Sequence, residues 1–194
     1  FDINRSGFTL SEGSAILILE ELSVALRRKA NIYAEVISAG NAADGFDMTN
    51  PHQDGRGIVL AMNNAIEKGN VDLDKINYIN AHGSGTPIND KVETKAIKKI
   101  FKSHANHIAI SSTKSMIGHM MGATGAVEAA ITALVCKEQI VPPTINLNDS
   151  DPDCDLDYVP NQARKKDIEY AMSTSIGLGG HNSAIILKKW SNKQ

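Results

Sequence analysis

The stretch from residue 76 to residue 101, INYINAHGSGTPINDKVETKAIKKIF, sets a short apolar run before a glycine-rich turn and a helix-like segment. The run INYIN has the β-branched and aromatic content of a buried strand. The segment 89–101 has helical periodicity. The apolar residues on one face of that helix are Ile88, Val92, Ala96, Ile97 and Ile100. Strand, turn and helix in this order predict that the polar groups of the turn lie at the carboxyl end of a sheet strand.

The same order of strand, loop and helix recurs later in the chain. IAISS (108–112) predicts a strand, 113–125 a loop rich in glycine and methionine, and 126–139 a helix that is apolar nearly all round and therefore buried. Further strands are predicted at 15–19, 32–43, 171–176 and 183–187, and a further helix at 55–70. Strands that alternate with helices indicate an α/β layered fold, with helices covering a sheet.

Composition narrows the class of protein. The 194 residues include 20 basic and 22 acidic side chains, so a net charge of −2 gives no electrostatic attraction for nucleic acid or an anionic membrane surface. No apolar run reaches the roughly 20 residues that span a bilayer. The two cysteines, Cys136 and Cys154, have no metal-type spacing, which favours a reducing compartment. We therefore expect a cytoplasmic protein without a nucleic-acid or membrane partner.

Three loops that follow predicted strands carry the residues able to do chemistry. They contain His82, then Lys114 with His119, and finally the turn GLGGHN (177–182). Loops at the carboxyl ends of strands converge on one crevice in an open α/β sheet. A neutral imidazole can donate a hydrogen bond to an oxygen that develops negative charge. A neighbouring lysine ammonium disfavours the imidazolium form, so the three side chains predict a site for enolate or oxyanion stabilisation.

Alternative interpretations of these residues remain open at the level of the sequence. The two histidines could bind a metal, but the nearest carboxylates, Asp90 and Glu93, are predicted to lie on the surface of the following helix, and no third ligand is evident. We therefore predict no metal site. Ser84 and Thr86 either satisfy the backbone of their turn or hold a polar arm of a substrate. The methionines at 116, 120 and 121 either fill gaps in the core or line an acyl pocket.

Six segments together carry a family resemblance. They are FDINRSGFTLSEGSAILILEE (1–21), NAHGSGTPIND (80–90), SSTKSMIGHMMGATGAVEA (111–129), VPPTINL (141–147), CDLDYVP (154–160) and SIGLGGHNSAI (175–185). In order and spacing they resemble the β-ketoacyl-acyl carrier protein synthases, in particular the elongating type II enzymes. The resemblance implies a thiolase-like αβαβα sandwich, of which the chain supplies mainly the C-terminal half. Residues 1–40 would end the N-terminal half and residues 41–194 would form the C-terminal half.

The resemblance also implies roles for individual residues. His82 and His119 would hydrogen-bond the malonyl thioester carbonyl and stabilise the enolate left by decarboxylation, and Lys114 would order the site electrostatically. The implied substrate-binding residues are Ser84 and Thr86, which would contact the phosphopantetheine arm of acyl carrier protein, and Leu178, Gly179 and Gly180 beside the acyl pocket. No cofactor is expected to be bound permanently, since the arm arrives with the carrier protein. The full enzyme would be a homodimer.

Two departures from the family pattern qualify these implications. Ile176 and Leu178 stand where fatty acid synthases typically have phenylalanines, which affects acyl-chain preference. The family's nucleophilic cysteine belongs to an elbow in the first half of the enzyme, and neither Cys136 nor Cys154 lies in such an elbow. We therefore expect the isolated chain to be an inactive part of a 3-oxoacyl-acyl carrier protein synthase. A polyketide ketosynthase, a non-condensing chain-length partner and a thiolase are the alternatives.

Overall fold

The computed structural model describes residues 1–191 and shows helices packed on both faces of a mixed sheet. The helices are α1 (Leu22–Arg27), α2 (Arg56–Gly69), α3 (Pro87–Phe101), α4 (Lys114–Ile117) and α5 (Thr124–Glu138). The strands are β1 (Ala34–Ala43), β2 (Ile76–Asn80), β3 (Ala109–Ser111), β4 (Ile140–Val141), β5 (Arg164–Lys165), β6 (Tyr170–Ile176) and β7 (His181–Lys189). These elements confirm the predicted α/β class.

The sheet topology places the three predicted loops at one edge. Five strands lie in the order β1-β7-β6-β2-β3, with β2 parallel to both β3 and β6. Strand β7 is antiparallel to its two neighbours, and β4 pairs with β5 in a separate two-stranded ribbon. Because β2, β3 and β6 run in the same direction, the loops that follow them leave the sheet at the same end.

The core is divided between the two faces of the sheet. Side chains of successive strand residues point to opposite faces. Ile79 of β2 packs with α2 and α3, whereas its neighbour Tyr78 packs with Val135 and Cys136 of α5. Helices α2 and α3 therefore cover one face and α5 covers the other, which gives three layers of the expected sandwich.

Three local predictions were wrong. Residues 15–19 form no strand, and Ile16, Ile18 and Leu19 are 89%, 83% and 73% exposed. An extended run becomes a strand only where a neighbouring strand takes its backbone hydrogen bonds, and no strand of residues 1–191 lies beside it. Helix α5 is not buried all round, because Leu134 is exposed, and Ile88 is exposed in the first turn of α3. The proposed boundary at residue 40 stays a prediction, and β1 runs across it.

Within residues 1–191, none of the helices combines the length and apolar character needed to cross a membrane.

A close approach of backbones makes Gly40 of β1 a test of this architecture. A Cβ atom at Gly40 would lie 2.1 Å from the Ala61 carbonyl oxygen and 2.5 Å from the Ala65 nitrogen, both in the backbone of α2. We expect Gly40→Ala to lower the free energy of unfolding by about 3 kcal/mol, because α2 has to move away from the sheet. Urea denaturation measures this change. The control Gly122→Ala, whose Cβ meets nothing within 4 Å, should leave the midpoint nearly unchanged, and equal shifts for both variants would contradict the packing argument.

Candidate active site

His82 lies directly after β2, in a turn that is held by one buried carboxylate. The His82 and Gly83 N–H groups donate to Glu93 Oε1 and Oε2 of α3, each at 2.8 Å. The hydroxyl of Thr174 in β6 donates to Glu93 Oε1 at 2.7 Å. The prediction that Glu93 and Asp90 lie on the helix surface was wrong, since both are buried. Burial raises the pKa of Glu93, and the donors from Gly83, Thr174 and His82 oppose that shift. The carboxylate fixes the backbone that carries His82.

The ring of His119 is oriented by its own loop. Its Nδ1 atom accepts the Met121 N–H at 3.1 Å and lies 3.0 Å from the Thr124 hydroxyl oxygen. A nitrogen that accepts a backbone N–H carries no proton, so the neutral ring has its proton on Nε2. His119 therefore presents Nε2–H as a hydrogen-bond donor.

The two imidazoles face each other. The ring centroids of His82 and His119 are 5.4 Å apart, with an interplanar angle of 77°. Nδ1 of His82 is buried and has no hydrogen-bond partner among residues 1–191. Such an atom is a candidate for a contact with a bound molecule or another part of the protein. The structure thus brings together the two histidines that the sequence singled out.

Burial and one lysine disfavour protonation of both rings. Burial lowers the pKa of His82 well below its usual value, and repulsion from Lys114 and His119 lowers it further. Burial and then Lys114 also lower the pKa of His119. Lys114 itself is buried, with Nζ 2.5 Å from Glu128 Oε1 of α5. Burial raises the pKa of Glu128, which the ammonium of Lys114 opposes. The structure therefore places Lys114 close enough to act on both imidazoles.

Ser84 and Thr86 satisfy their own turn. Their hydroxyl oxygens are 3.0 Å apart, and Thr86 accepts the Asn89 N–H at 3.3 Å, which caps the N-terminus of α3. Ser84 and Lys114 line a cavity of about 480 Å³, beside the segments 1–9 and 144–149. These bonds confirm the interpretation that Ser84 and Thr86 satisfy the backbone of their own turn. Their contact with a substrate arm stays a prediction.

The predicted acyl-pocket turn follows β6. Leu178 is exposed, whereas Gly180 is buried. The turn is joined to a second loop, because Gly179 N–H donates to the Met48 carbonyl at 2.7 Å and Asp44 N–H donates to the Gly180 carbonyl at 3.0 Å. Gly180 has φ +77° and a Cβ there would lie 2.6 Å from Asp44 Oδ1, so only glycine fits. Within residues 1–191, no hydrogen bond or ring contact joins this turn to the imidazoles, and its role in binding stays a prediction.

Other candidates from the sequence contribute no reactive group here. Among residues 1–191, no three His, Cys, Asp or Glu side chains are grouped as a metal site would require. Cys136 is buried in α5, where burial raises the pKa of its thiol to about 12, and Cys154 is buried in a loop. Neither is placed to be an activated nucleophile. Met116 and Met121 are exposed, so they do not fill the core.

Sequence reasoning missed the segment 7–11, which crosses both histidine loops. Gly7 N–H donates to the Gly85 carbonyl at 2.9 Å, and His119 N–H donates to the Thr9 carbonyl at 2.8 Å. The Phe8 ring contacts the edge of His119, with centroids 5.0 Å apart. The glycine and the phenylalanines of FDINRSGF were the sequence feature that could have drawn attention to this segment. Its position beside the two histidines follows only from the tertiary structure.

Two imidazoles and a buried lysine thus meet at the strand ends of an α/β sandwich. Residues 33–148 match the model described as beta-ketoacyl synthase, C-terminal domain, and the chain belongs to this family. It is 48% identical over 190 residues to 3-oxoacyl-[acyl-carrier-protein] synthase 2 of Synechocystis, and 46% identical to that of Staphylococcus aureus strain COL. The match covers 98% of this chain and 46% of each relative. The chain therefore spans about half the length of the curated relatives that it matches.

Solved structures confirm the thiolase-like ketosynthase fold. The complex AntDE:AntF, a type II polyketide synthase acyl-carrier protein with its ketosynthase bound to the hexaketide, contains a chain that is 39% identical with a TM-score of 0.96. The ishigamide ketosynthase/chain length factor contains one that is 37% identical with a TM-score of 0.93. The matches cover 98% of this chain and 47% and 46% of those chains.

The protonation of the two histidines can be measured directly. We expect imidazole NMR shifts to show His82 and His119 neutral at pH 6.5, because burial and Lys114 both oppose protonation. Lys114→Met should raise the pKa of both rings towards the usual value of about 6.5. The matched variant Lys91→Met removes a lysine from the surface and should leave both titrations unchanged. Half-protonated rings at pH 6.5 in the unmodified protein would contradict the electrostatic account.

Proposed function

We propose that this chain is the C-terminal half of a 3-oxoacyl-[acyl-carrier-protein] synthase that acts in fatty acid biosynthesis. The observation that carries the proposal is the pair of imidazoles, His82 and His119, whose ring centroids are 5.4 Å apart, beside buried Lys114. The 48% identity to a synthase of that name supports the fatty acid pathway. The enzyme would be an acyltransferase of the cytoplasm.

The two imidazoles account for the decarboxylation step. Donors from His82 and His119 would bind the carbonyl oxygen of the malonyl thioester, where negative charge develops. The bond between the carboxylate and the methylene carbon breaks, carbon dioxide leaves, and the electron pair passes to the enolate. Neutral donors are needed because both rings have to give hydrogen bonds without surrendering a proton to the enolate carbon.

Condensation would then need a group outside this chain. The enolate carbon attacks an acyl group held as a thioester on a cysteine of the N-terminal half, a carbon–carbon bond forms, and the cysteine thiolate leaves. The N-terminal half and acyl carrier protein are therefore proposed partners, and the whole enzyme is proposed to be a homodimer. Ser84 and Thr86 would hold the phosphopantetheine arm, and Leu178, Gly179 and Gly180 would border the acyl group.

A polyketide ketosynthase is the second candidate, because a solved structure of a type II polyketide synthase complex contains a chain of the same fold, with a TM-score of 0.96. Sequence identity favours the fatty acid enzyme, at 48% against 39%. A non-condensing chain-length partner is less well supported, since His82, Lys114 and His119 are all present and assembled.

The decarboxylation step gives the first test. In the enzyme that contains this chain, His119→Ala should lower the rate of carbon dioxide release from malonyl-acyl carrier protein at least 100-fold, because one of two donors to the enolate oxygen is lost. A carbonate-trapping assay measures the release. The control His107→Ala changes an exposed histidine away from the pair and should keep the rate within about twofold. Unchanged decarboxylation in His119→Ala would refute the assigned role.

The missing nucleophile gives the second test. We expect the 194-residue chain alone to form no 3-oxoacyl product, since Cys136 and Cys154 are both buried outside any elbow. Mass spectrometry of the carrier-protein products checks this. Joining the chain to an N-terminal half that carries the elbow cysteine should restore product. Product formed by the chain alone would contradict the proposal.

A further inference from the structure

Arg5 is a buried guanidinium whose donors all point into the protein. Its side chain is 6% exposed. The acceptors are the Asp2 carbonyl at 2.7 Å, the Thr86 carbonyl at 3.2 Å, the Pro87 carbonyl at 2.9 Å and Asp151 Oδ2 at 2.8 Å. A buried charge is retained only where hydrogen bonds and opposite charges compensate its desolvation. Asp151 and Asp90, whose Oδ2 lies 3.4 Å from Arg5 Nε, supply that charge.

Two of the three carbonyls that Arg5 binds, those of Thr86 and Pro87, belong to the turn 84–87. This turn is held on its other side too. Asp90 Oδ1 accepts the Gly85 N–H at 3.1 Å, and the Gly85 carbonyl accepts the Gly7 N–H at 2.9 Å. Gly85 has φ +76°, and a Cβ there would lie 2.8 Å from the Gly7 carbonyl oxygen. The turn is thus fixed by contacts from the N-terminal segment and from α3.

The chemistry of this clamp requires a guanidinium. Nε and Nη2 of Arg5 donate to two successive carbonyls of the turn, while Nη1 reaches away from it to Asp151. A planar fork can bind three separated acceptors at fixed angles, whereas a lysine ammonium is a point charge on a flexible stem. Arg5→Lys therefore keeps the charge and loses the fixed geometry.

We propose that Arg5 is a positioning residue that sets the Ser84 and Thr86 hydroxyls for an amide-bearing, pantetheine-type arm of the substrate. The proposal rests on the proposed function, because it takes those hydroxyls as the contacts for the arm. The hydrogen bonds of Arg5 to the turn go to backbone carbonyls, so its proposed action on the two hydroxyls passes through the backbone of the turn. Its loss should therefore weaken recognition of the arm and spare the chemistry at the imidazoles.

Binding of the arm is tested without turnover. Calorimetric titration of the complete enzyme with S-acetyl pantetheine should give a Kd about tenfold higher for Arg5→Lys, as expected for loss of one well-placed hydrogen bond. Lys91→Met is the matched control, since the Lys91 ammonium lies 3.5 Å from the same Asp151 and 2.7 Å from Asp153, and its Kd should stay within twofold. A Kd within twofold of the unmodified enzyme for Arg5→Lys would overturn the proposal.

A double-mutant cycle separates positioning from a general structural effect. If Arg5 acts through the turn, Arg5→Lys in a Ser84→Ala, Thr86→Ala background should raise the Kd only about twofold, because both hydroxyls that it positions are gone. Equal tenfold effects in both backgrounds would overturn the proposal.

Asp151→Asn is a second variant for the case that Arg5→Lys does not fold. This variant keeps Arg5 but removes the negative charge of the Asp151 carboxylate that Arg5 Nη1 binds. We expect the Kd for S-acetyl pantetheine to be about threefold higher. An unchanged Kd would count against the proposal.

A substrate without the arm distinguishes this inference from the proposed function. S-ethyl malonyl thioester carries no arm amides, so its decarboxylation should be equal in Arg5→Lys and the unmodified enzyme, whereas KM for malonyl-acyl carrier protein should rise about tenfold with kcat little changed. Equal losses on both thioesters would overturn the positioning role. If the unmodified enzyme decarboxylates neither thioester, the proposed function fails, and the pantetheine titrations still decide the role of Arg5.

Discussion

The buried carboxylate of Glu93 is the interaction on which the site depends. It accepts the N–H groups of His82 and Gly83 and the hydroxyl of Thr174, so one side chain joins β2, α3 and β6 where the strands end. Without the carboxylate the Gly83 N–H would lose its partner, at a cost of about 1–3 kcal/mol. The His82 N–H and the Thr174 hydroxyl would keep only longer contacts, at 3.2 Å from His82 N to Thr174 Oγ1 and at 3.4 Å from Thr174 Oγ1 to the Asn80 carbonyl. These hydrogen bonds of the backbone therefore set the position of His82. The imidazole ring of His82 takes no part in them.

Different interactions set the position and the charge of the two imidazoles. The carboxylate of Glu93 and the loop of His119 determine where the rings lie, while burial and the ammonium of Lys114 keep them neutral. The pairing of Lys114 with Glu128 makes this possible, because a buried ammonium is costly unless a carboxylate lies beside it. A positive charge held close to two imidazoles favours their neutral form, whose N–H group can still donate a hydrogen bond.

The sequence predicted β2, α3, β6 and β7 well because local periodicity and turn residues determine such elements. It also predicted that His82 and His119 converge, since parallel strands bring their following loops to one edge. It failed for Glu93 and Asp90, because helical spacing cannot show that N–H groups of another element approach a carboxylate. The predictions of a strand at residues 15–19 and of complete burial of α5 were wrong. Reasoning from an apolar pattern assumes that another element of the same chain packs against every apolar face. The contact of Phe8 with His119 joins residues 111 positions apart, and no local signal indicates it.

The uncovered run at 15–19 bears on the missing part of the site. Ile16 and Ile18 are spaced as on one face of a strand, and Leu19 follows them, yet no strand of residues 1–191 pairs with this run. Ser11 N–H donates to the His119 carbonyl, and the four residues from there to Ala15 span at most about 14 Å. Burying an apolar side chain of this size contributes roughly 1.5–3 kcal/mol, so a sheet that pairs with this run would be bound firmly and would end close to the second imidazole. If the proposed N-terminal half covers this run, the burial of these side chains and the approach of that half to the His119 loop would follow from the same contacts.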